Sequence, residues 1–145
     1  MQVLEQSIVS QHPGAKISIA IFDIDHFKSI NDRFGHHVGD QVLKRVAKDA
    51  TAALRQTDFI GRYGGEEFLL VLNETPVDRA MSVAERVRAS IAEGSPAASG
   101  EPKTTVSIGV ATYCHGETLE LLVERADAAL YQAKAAGRNA LRLAA

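Results

Sequence analysis

Arg62-Tyr63-Gly64-Gly65-Glu66-Glu67-Phe68-Leu69-Leu70-Val71-Leu72 sets a double glycine after a strand-like stretch and two carboxylates directly before an apolar run. Residues 59–63 and 68–72 both read as strands, so the glycines form a tight two-residue hairpin tip and supply its positive φ angles. Bare main chain at Gly64 and Gly65 leaves room for a phosphate or ribose to approach. Successive strand side chains point to opposite faces, so Glu66 and Glu67 are expected to do different jobs. Two readings stand: a functional tip, or a hairpin end whose acidic residues keep it in water.

Working outward, Lys16-Ile17-Ser18-Ile19-Ala20-Ile21-Phe22-Asp23-Ile24-Asp25 is an apolar strand that ends in acid. Both faces read as buried, which marks a central strand. Alternation puts Asp23 on the face of Ile17, Ile19 and Ile21. A buried carboxylate there must be neutral, paired, or bound to a cation. Asp25 reads as the N-cap of a short helical segment over 26–31.

The rest alternates helix and strand. A helix ends before Pro13, and an amphipathic helix runs from about Gly39 to Gln56 with Val42, Leu43, Val46, Ala47, Ala50, Ala53 and Leu54 inward. Thr75-Pro76 reads as an N-cap plus first-turn proline, opening a helix with Ala80, Ala84, Val87 and Ile91 inward. Residues 93–100 read as a polar loop, and residues 104–113 as a second buried strand. Thr118 starts a last helix with Leu119, Leu122, Val123, Ala126, Leu130 and Ala133 as its stripe, and a short strand near Leu141 closes the order. That order predicts an α+β, ferredoxin-like split βαβ arrangement: a mainly antiparallel sheet of about five strands flanked by helices. In such a sheet Asp23 can lie near Glu66, and two carboxylates forced together need a cation. All-oxygen ligands select Mg²⁺ or Mn²⁺ rather than zinc.

Composition narrows the class. At 145 residues and 46% hydrophobic, the chain suits one core and not two domains. There is no run of eighteen apolar residues and nothing that reads as a signal peptide, so a soluble piece with no membrane contact is expected. Cys114 is the single cysteine. It cannot form an internal disulfide, suits a reducing cytoplasm, and reads as a small buried hydrophobe. A formal charge of −2 argues against binding long nucleic acid. The adjacent His36 and His37 read as loop, and His12, His26 and His115 show no partner pattern.

Gly64-Gly65-Glu66-Glu67-Phe68 resembles the name-giving motif of the GGDEF family of diguanylate cyclases. The resemblance runs from about Ile17 to Asn139. It takes in the 23–32 block, Phe34-Gly35-His36, Gly39-Asp40, Ala126-Asp127, residues 130–134 and Gly137-Arg138-Asn139. Four separated blocks in the family's order are far more specific than one pentapeptide. The family's fold resembles the palm of polymerases and purine nucleotide cyclases.

The resemblance implies condensation of two GTP into cyclic di-GMP with loss of two pyrophosphates, each domain of a homodimer holding one GTP. It implies that Asp23, the Ile24 carbonyl and Glu66 hold metal, and that Glu67 joins them or deprotonates the ribose 3′-hydroxyl. It implies that Asn31 and Asp40 read guanine, and that Phe27, Lys28, Gly64 and Gly65 meet the nucleotide. Lys134 and Arg138, four apart, would clamp the β and γ phosphates from one helix face. Arg55 and Asp58, as Arg-x-x-Asp, look like the family's inhibitory product site, with Arg86 as a secondary contact in a neighbouring subunit. The alternative for the pair is a salt bridge at a helix end.

Residues 1–11 contain nothing like the Asp-x-Leu-Thr-Gly-Leu-x-Asn-Arg segment of the family. The chain therefore reads as an excised single catalytic domain of a longer protein with a sensor or receiver domain. Two rivals remain: a non-catalytic module that binds GTP or cyclic di-GMP, and an enzyme that cyclises one nucleotide internally.

Overall fold

The computed structural model describes residues 2–9, 14, 16–94 and 101–145. In chain order these form α1 (Gln2–Val9), β1 (Ser18–Ile24), α2 (Phe27–Phe34), α3 (His36–Ala52), β2 (Phe59–Gly64), β3 (Glu67–Leu72), α4 (Val77–Glu93), β4 (Val106–Thr112), α5 (Leu119–Ala135) and β5 (Leu141–Leu143). The strands make one sheet in the order β2-β3-β1-β4-β5. Every pairing is antiparallel except β4 with β5. The predicted α+β sheet of five strands is the one observed.

β1 lies at the centre and is buried along its whole length. Its alternation splits the core in two. Ala20, Phe22 and Ile24 face α3 and α4, packing with Val42, Val46, Ala84, Val87 and Ile91. Ile17, Ile19 and Ile21 face Leu122, Val123, Ala126 and Leu130 of α5, with the buried Leu4 of α1 in the same cluster. Phe22 and Phe68 stack across the β1–β3 seam at 5.0 Å. Side chains of this size stabilise by roughly 1.5–3 kcal/mol each when fully buried, so the seam is firmly held.

Several expectations shift by a residue or a turn. α3 begins at His36, so His36 and His37 form its first turn and are not loop; the helix ends at Ala52, short of Gln56. The hairpin turn is Gly65-Glu66, because a bulge between Arg62 and Gly64 lets Gly64 pair with Glu67. Only Gly65 of the two glycines has a positive φ, at 24°. Pro76 is the N-cap of α4, whereas the Thr75 hydroxyl is turned onto the Asn73 carbonyl. Thr118 caps α5 as expected, accepting from the Leu121 N–H. Cys114 is exposed just past β4, not buried. Pro13, His12 and most of the 93–100 loop lie outside the described residues.

Candidate active site

The sheet register makes the site. Asp23 is the partner of Glu67 across β1 and β3, and both point to the α5 face with Ile21 and Leu69. Glu66 occupies the adjoining turn, where its carbonyl accepts from the Ile24 N–H at 3.4 Å. Residues distant in sequence thereby bring three carboxylates and the end of β1 together. From α5, Lys134 Nζ donates to Asp23 Oδ2 at 2.5 Å.

Electrostatics follow from that crowding. Burial pushes the Asp23 carboxyl above its ordinary value, outweighing the bond from Lys134 that pulls it down; Glu66 and Asp25 push it further up. Burial likewise raises Glu67, helped by Asp127 of α5 and by Asp23. Among the described residues no three or more acidic, histidine or cysteine side chains are arranged to hold a metal ion by themselves. The site is instead an open, all-oxygen acidic end whose mutual repulsion a hard divalent cation would relieve, and such a donor set fits that cation.

A raised carboxyl has a thermodynamic consequence. The folded state then holds the Glu67 proton more tightly than the unfolded chain, so stability is full at low pH and declines as pH rises from about 4.5 through the raised value. Glu67→Gln should therefore lose midpoint temperature less steeply than wild type over that window, and unfold a few degrees higher at pH 7. Parallel melting curves from pH 4 to pH 8 would contradict this.

The packing of α2 on α3 sets Asn31 against Gly39, the residue before Asp40. A Cβ built on Gly39 would lie 1.8 Å from Asn31 Oδ1, so glycine is what lets the amide lie against the first turn of α3. Beside them is a cavity of ≈ 350 Å³ lined by Asp40, Leu43, Lys44, Ala47, Arg62 and Phe68. Its size is that of a small-molecule site. Phe27 and Lys28 open α2, immediately after β1. Arg62 crosses the hairpin: its guanidinium lies over the Phe68 ring, 5.9 Å from the centroid, and bonds the Gly65 carbonyl.

Two local readings, the Asp25 cap and the shared face of Lys134 and Arg138, are corrected. Asp25 does not cap α2; His26 is the N-cap, with φ 57° and no side-chain bond. The Asp25 carboxylate is buried and accepts from Thr105, Ser107 and the Asn139 N–H. Lys134 and Arg138 do not share a helix face, since α5 ends at Ala135 and Arg138 lies beyond it with φ 65°. Arg55 and Asp58 form a two-pronged pair, Nη2 to Oδ1 at 2.8 Å and Nε to Oδ2 at 3.1 Å. The same Arg55 Nη2 reaches Thr75 Oγ1 at 2.6 Å. Arg86 Nε donates to the Ala53 carbonyl at 2.9 Å.

The model of the diguanylate cyclase, GGDEF domain, matches residues 1–140. The chain belongs to the GGDEF family. Diguanylate cyclase DgcP of Pseudomonas aeruginosa is 46% identical over 143 residues, covering 97% of this chain and 21% of that protein. The chain thus spans about a fifth of that curated relative's length. The GGDEF domain of DgcB from Caulobacter crescentus, solved in complex with c-di-GMP, superposes with a TM-score of 0.90 at 34% identity, over 98% of this chain and 86% of that one. The active GGEEF domain of a diguanylate cyclase from Vibrio cholerae superposes with a TM-score of 0.85 at 37% identity, over 97% and 88%. This GGDEF domain carries the same Gly-Gly-Glu-Glu-Phe form at its hairpin.

Sequence reasoning assigned no site role to Arg62 or Lys44 of the GGDEF domain, placed Leu43 only in a helix stripe, and met Asp127 and Asn139 only as parts of the resembling blocks. Arg62 offered a signal in its alternation with Phe68 across the hairpin. Asp127 and Asn139 offered only their places in the resembling blocks, because folding alone carries them to the end of β1. Among the described residues no helix is long and apolar enough to cross a membrane.

Proposed function

We propose that this domain condenses two GTP molecules into cyclic di-GMP and releases two pyrophosphates. The observation that carries the proposal is the pairing of Asp23 with Glu67 beside the Gly65-Glu66 turn, with Lys134 drawn against the same acidic end. Asp23, the Ile24 carbonyl and Glu66 would hold a hard divalent cation, Mg²⁺ or Mn²⁺. When bound, that ion supplies charge neutralisation on the phosphate oxygens undergoing in-line displacement.

The chain's own groups do the rest. Asp40 presents a carboxylate at the cavity, with the Asn31 amide against the neighbouring Gly39, and the carboxylate accepts from the ring N–H and amino group of guanine. Phe27 and Lys28, with the bare backbone of Gly64 and Gly65, flank the phosphates. Lys134, in the last turn of α5, and Arg138, beyond its end, neutralise the β and γ phosphates. Glu67, with its proton affinity raised, accepts the proton of the ribose 3′-hydroxyl. That oxygen bonds to the α-phosphorus of the GTP held on a second copy of the domain, and the α–β phosphoanhydride bond breaks to release pyrophosphate. One domain offers one nucleotide, so a homodimer is required. In a longer chain, a sensor or receiver domain would set that pairing.

Incubation with GTP and Mg²⁺ followed by chromatography tests the reading. Cyclic di-GMP is expected; retained GTP points to a binding module, and a monocyclic nucleotide to internal cyclisation.

Arg55 and Asp58 are proposed to bind cyclic di-GMP as an inhibitor. Arg55 supports this because its side chain remains 40% exposed while paired, leaving a guanidinium edge for a guanine or phosphate. Arg55→Ala should relieve product inhibition by about tenfold or more, the loss of roughly 1.4 kcal/mol of binding. It should also lower stability by about 1–3 kcal/mol, since the fully buried Asp58 carboxylate loses both guanidinium bonds and keeps only the backbone N–H of residue 55. An unchanged inhibition constant would count against the assignment.

A further inference from the structure

The carboxylate of Asp25 is buried at the end of β1, two residues beyond Asp23, and nothing in the proposed chemistry uses it. All its contacts lead to one place. Oδ1 accepts from Ser107 Oγ at 2.6 Å; Oδ2 accepts from Thr105 Oγ1 at 2.7 Å and from the Asn139 N–H at 2.9 Å. The Asp25 N–H donates to the Thr105 carbonyl at 2.9 Å.

The Asn139 bond matters most, because Arg138 and Asn139 both have left-handed backbone, φ 65° and 44°. Asparagine tolerates that region; arginine rarely adopts it, and such residues persist only where surrounding contacts over-determine them. Here the turn is held on each side. The Arg138 N–H donates to the Ala133 carbonyl at 3.1 Å, and Asn139 Oδ1 accepts from Arg88 Nη1 of α4 at 2.7 Å. Arg88 is itself oriented by Glu85. The Arg138 side chain is thereby projected from a turn fastened to the strand that carries Asp23.

We propose that Asp25 is a positioning residue: it ties the Arg138-Asn139 turn to the end of β1 and so sets where the Arg138 guanidinium meets the nucleotide phosphates. This rests on the proposed phosphate role of Arg138. Asp25 touches no substrate itself; its effect passes through the turn.

The test is a double-mutant cycle on the affinity of the chain for a non-hydrolysable GTP analogue with Mg²⁺, measured by calorimetry, with GMP as a second ligand. Arg138→Ala should weaken the triphosphate analogue about tenfold or more and leave GMP nearly unaffected. Asp25→Ala should weaken the analogue by a similar factor, again sparing GMP. The double variant should bind no more than about threefold worse than Arg138→Ala alone, because two changes to one coupled unit do not add. Multiplying effects, or a loss of GMP affinity equal to that for the analogue, would overturn the proposal in favour of a purely structural Asp25. Should Asp25→Ala fail to fold, Asp25→Asn, which keeps one acceptor oxygen but sets an amide donor against the remaining donors, takes its place in the cycle and must give the same non-additivity. Unchanged analogue affinity in Arg138→Ala would remove the phosphate role and this inference together, an outcome distinguishable from additivity.

Discussion

Replacing Glu66 by glutamine should abolish cyclic di-GMP formation while the midpoint of unfolding stays within about 2 °C of wild type, a shift that corresponds to well under 1 kcal/mol. Glutamine keeps the shape and the backbone. The Glu66 carbonyl that receives the Ile24 N–H is unchanged, and the Glu66 side chain makes no hydrogen bond among the described residues. What is lost is one negative charge at the turn beside Asp23 and Glu67. Charge stabilisation of that kind is worth several kcal/mol in a phosphoryl displacement, so kcat should fall by about 10³-fold. Stopped-time product assays with GTP and Mg²⁺, beside a thermal melt, separate the two effects. Turnover at the parental rate would refute the role of Glu66.

Replacing Gly109 by alanine should be the most damaging small change to the fold. Gly109 lies on β4, on the face packed against α5. A Cβ there would approach the Ala126 carbonyl oxygen at 2.1 Å and the Leu130 nitrogen at 2.4 Å. Both obstacles are helix backbone, which cannot rotate aside like a flexible side chain. The helix must shift, opening the contacts of Leu122, Ala126 and Leu130 with Ile19 and Ile21. A cost of about 3 kcal/mol or more is expected, beyond the usual range for overpacking, with a midpoint lowered by roughly 10 °C. The same shift would carry Lys134 away from Asp23, so nucleotide affinity should fall as well. Gly64→Ala is the contrast. Its Cβ would meet nothing within 4 Å and its φ is not positive, so stability should change by under about 0.5 kcal/mol. Chemical denaturation of the two variants side by side decides the matter. A Gly109→Ala chain as stable as wild type would mean that α5 does not rest on β4 as described.

The contrast between the two glycines shows where sequence reasoning reached its limit. A double glycine before two carboxylates announces a turn, and the turn is there. Which glycine bends the chain depends on the bulge between Arg62 and Gly64, a pairing detail that one strand's sequence does not contain. Gly109, in the middle of an apolar run, looks like an ordinary weak point in a strand. Its necessity appears only when Ala126 and Leu130 arrive from a helix later in the chain.

Asp25 and Arg138 fail for the same reason. An aspartate before a helical segment reads as an N-cap because local hydrogen bonding is what local sequence reports. Its real partners, Ser107 and Asn139, lie 82 and 114 residues away. Lys134 and Arg138 share a helix face on an ideal spiral, but α5 stops at Ala135, before the second of them.

From residue order alone came the strands and helices, the central place of β1, the face on which Asp23 lies, and the family. All of these follow from short-range periodicity and from motifs whose spacing is written along the chain. Folding alone decided which charges meet: Lys134 on Asp23, Asp127 toward Glu67, Asn139 on Asp25. Those meetings depend on sheet register and on how closely α5 approaches β4, and such long-range distances are set by packing of the whole core.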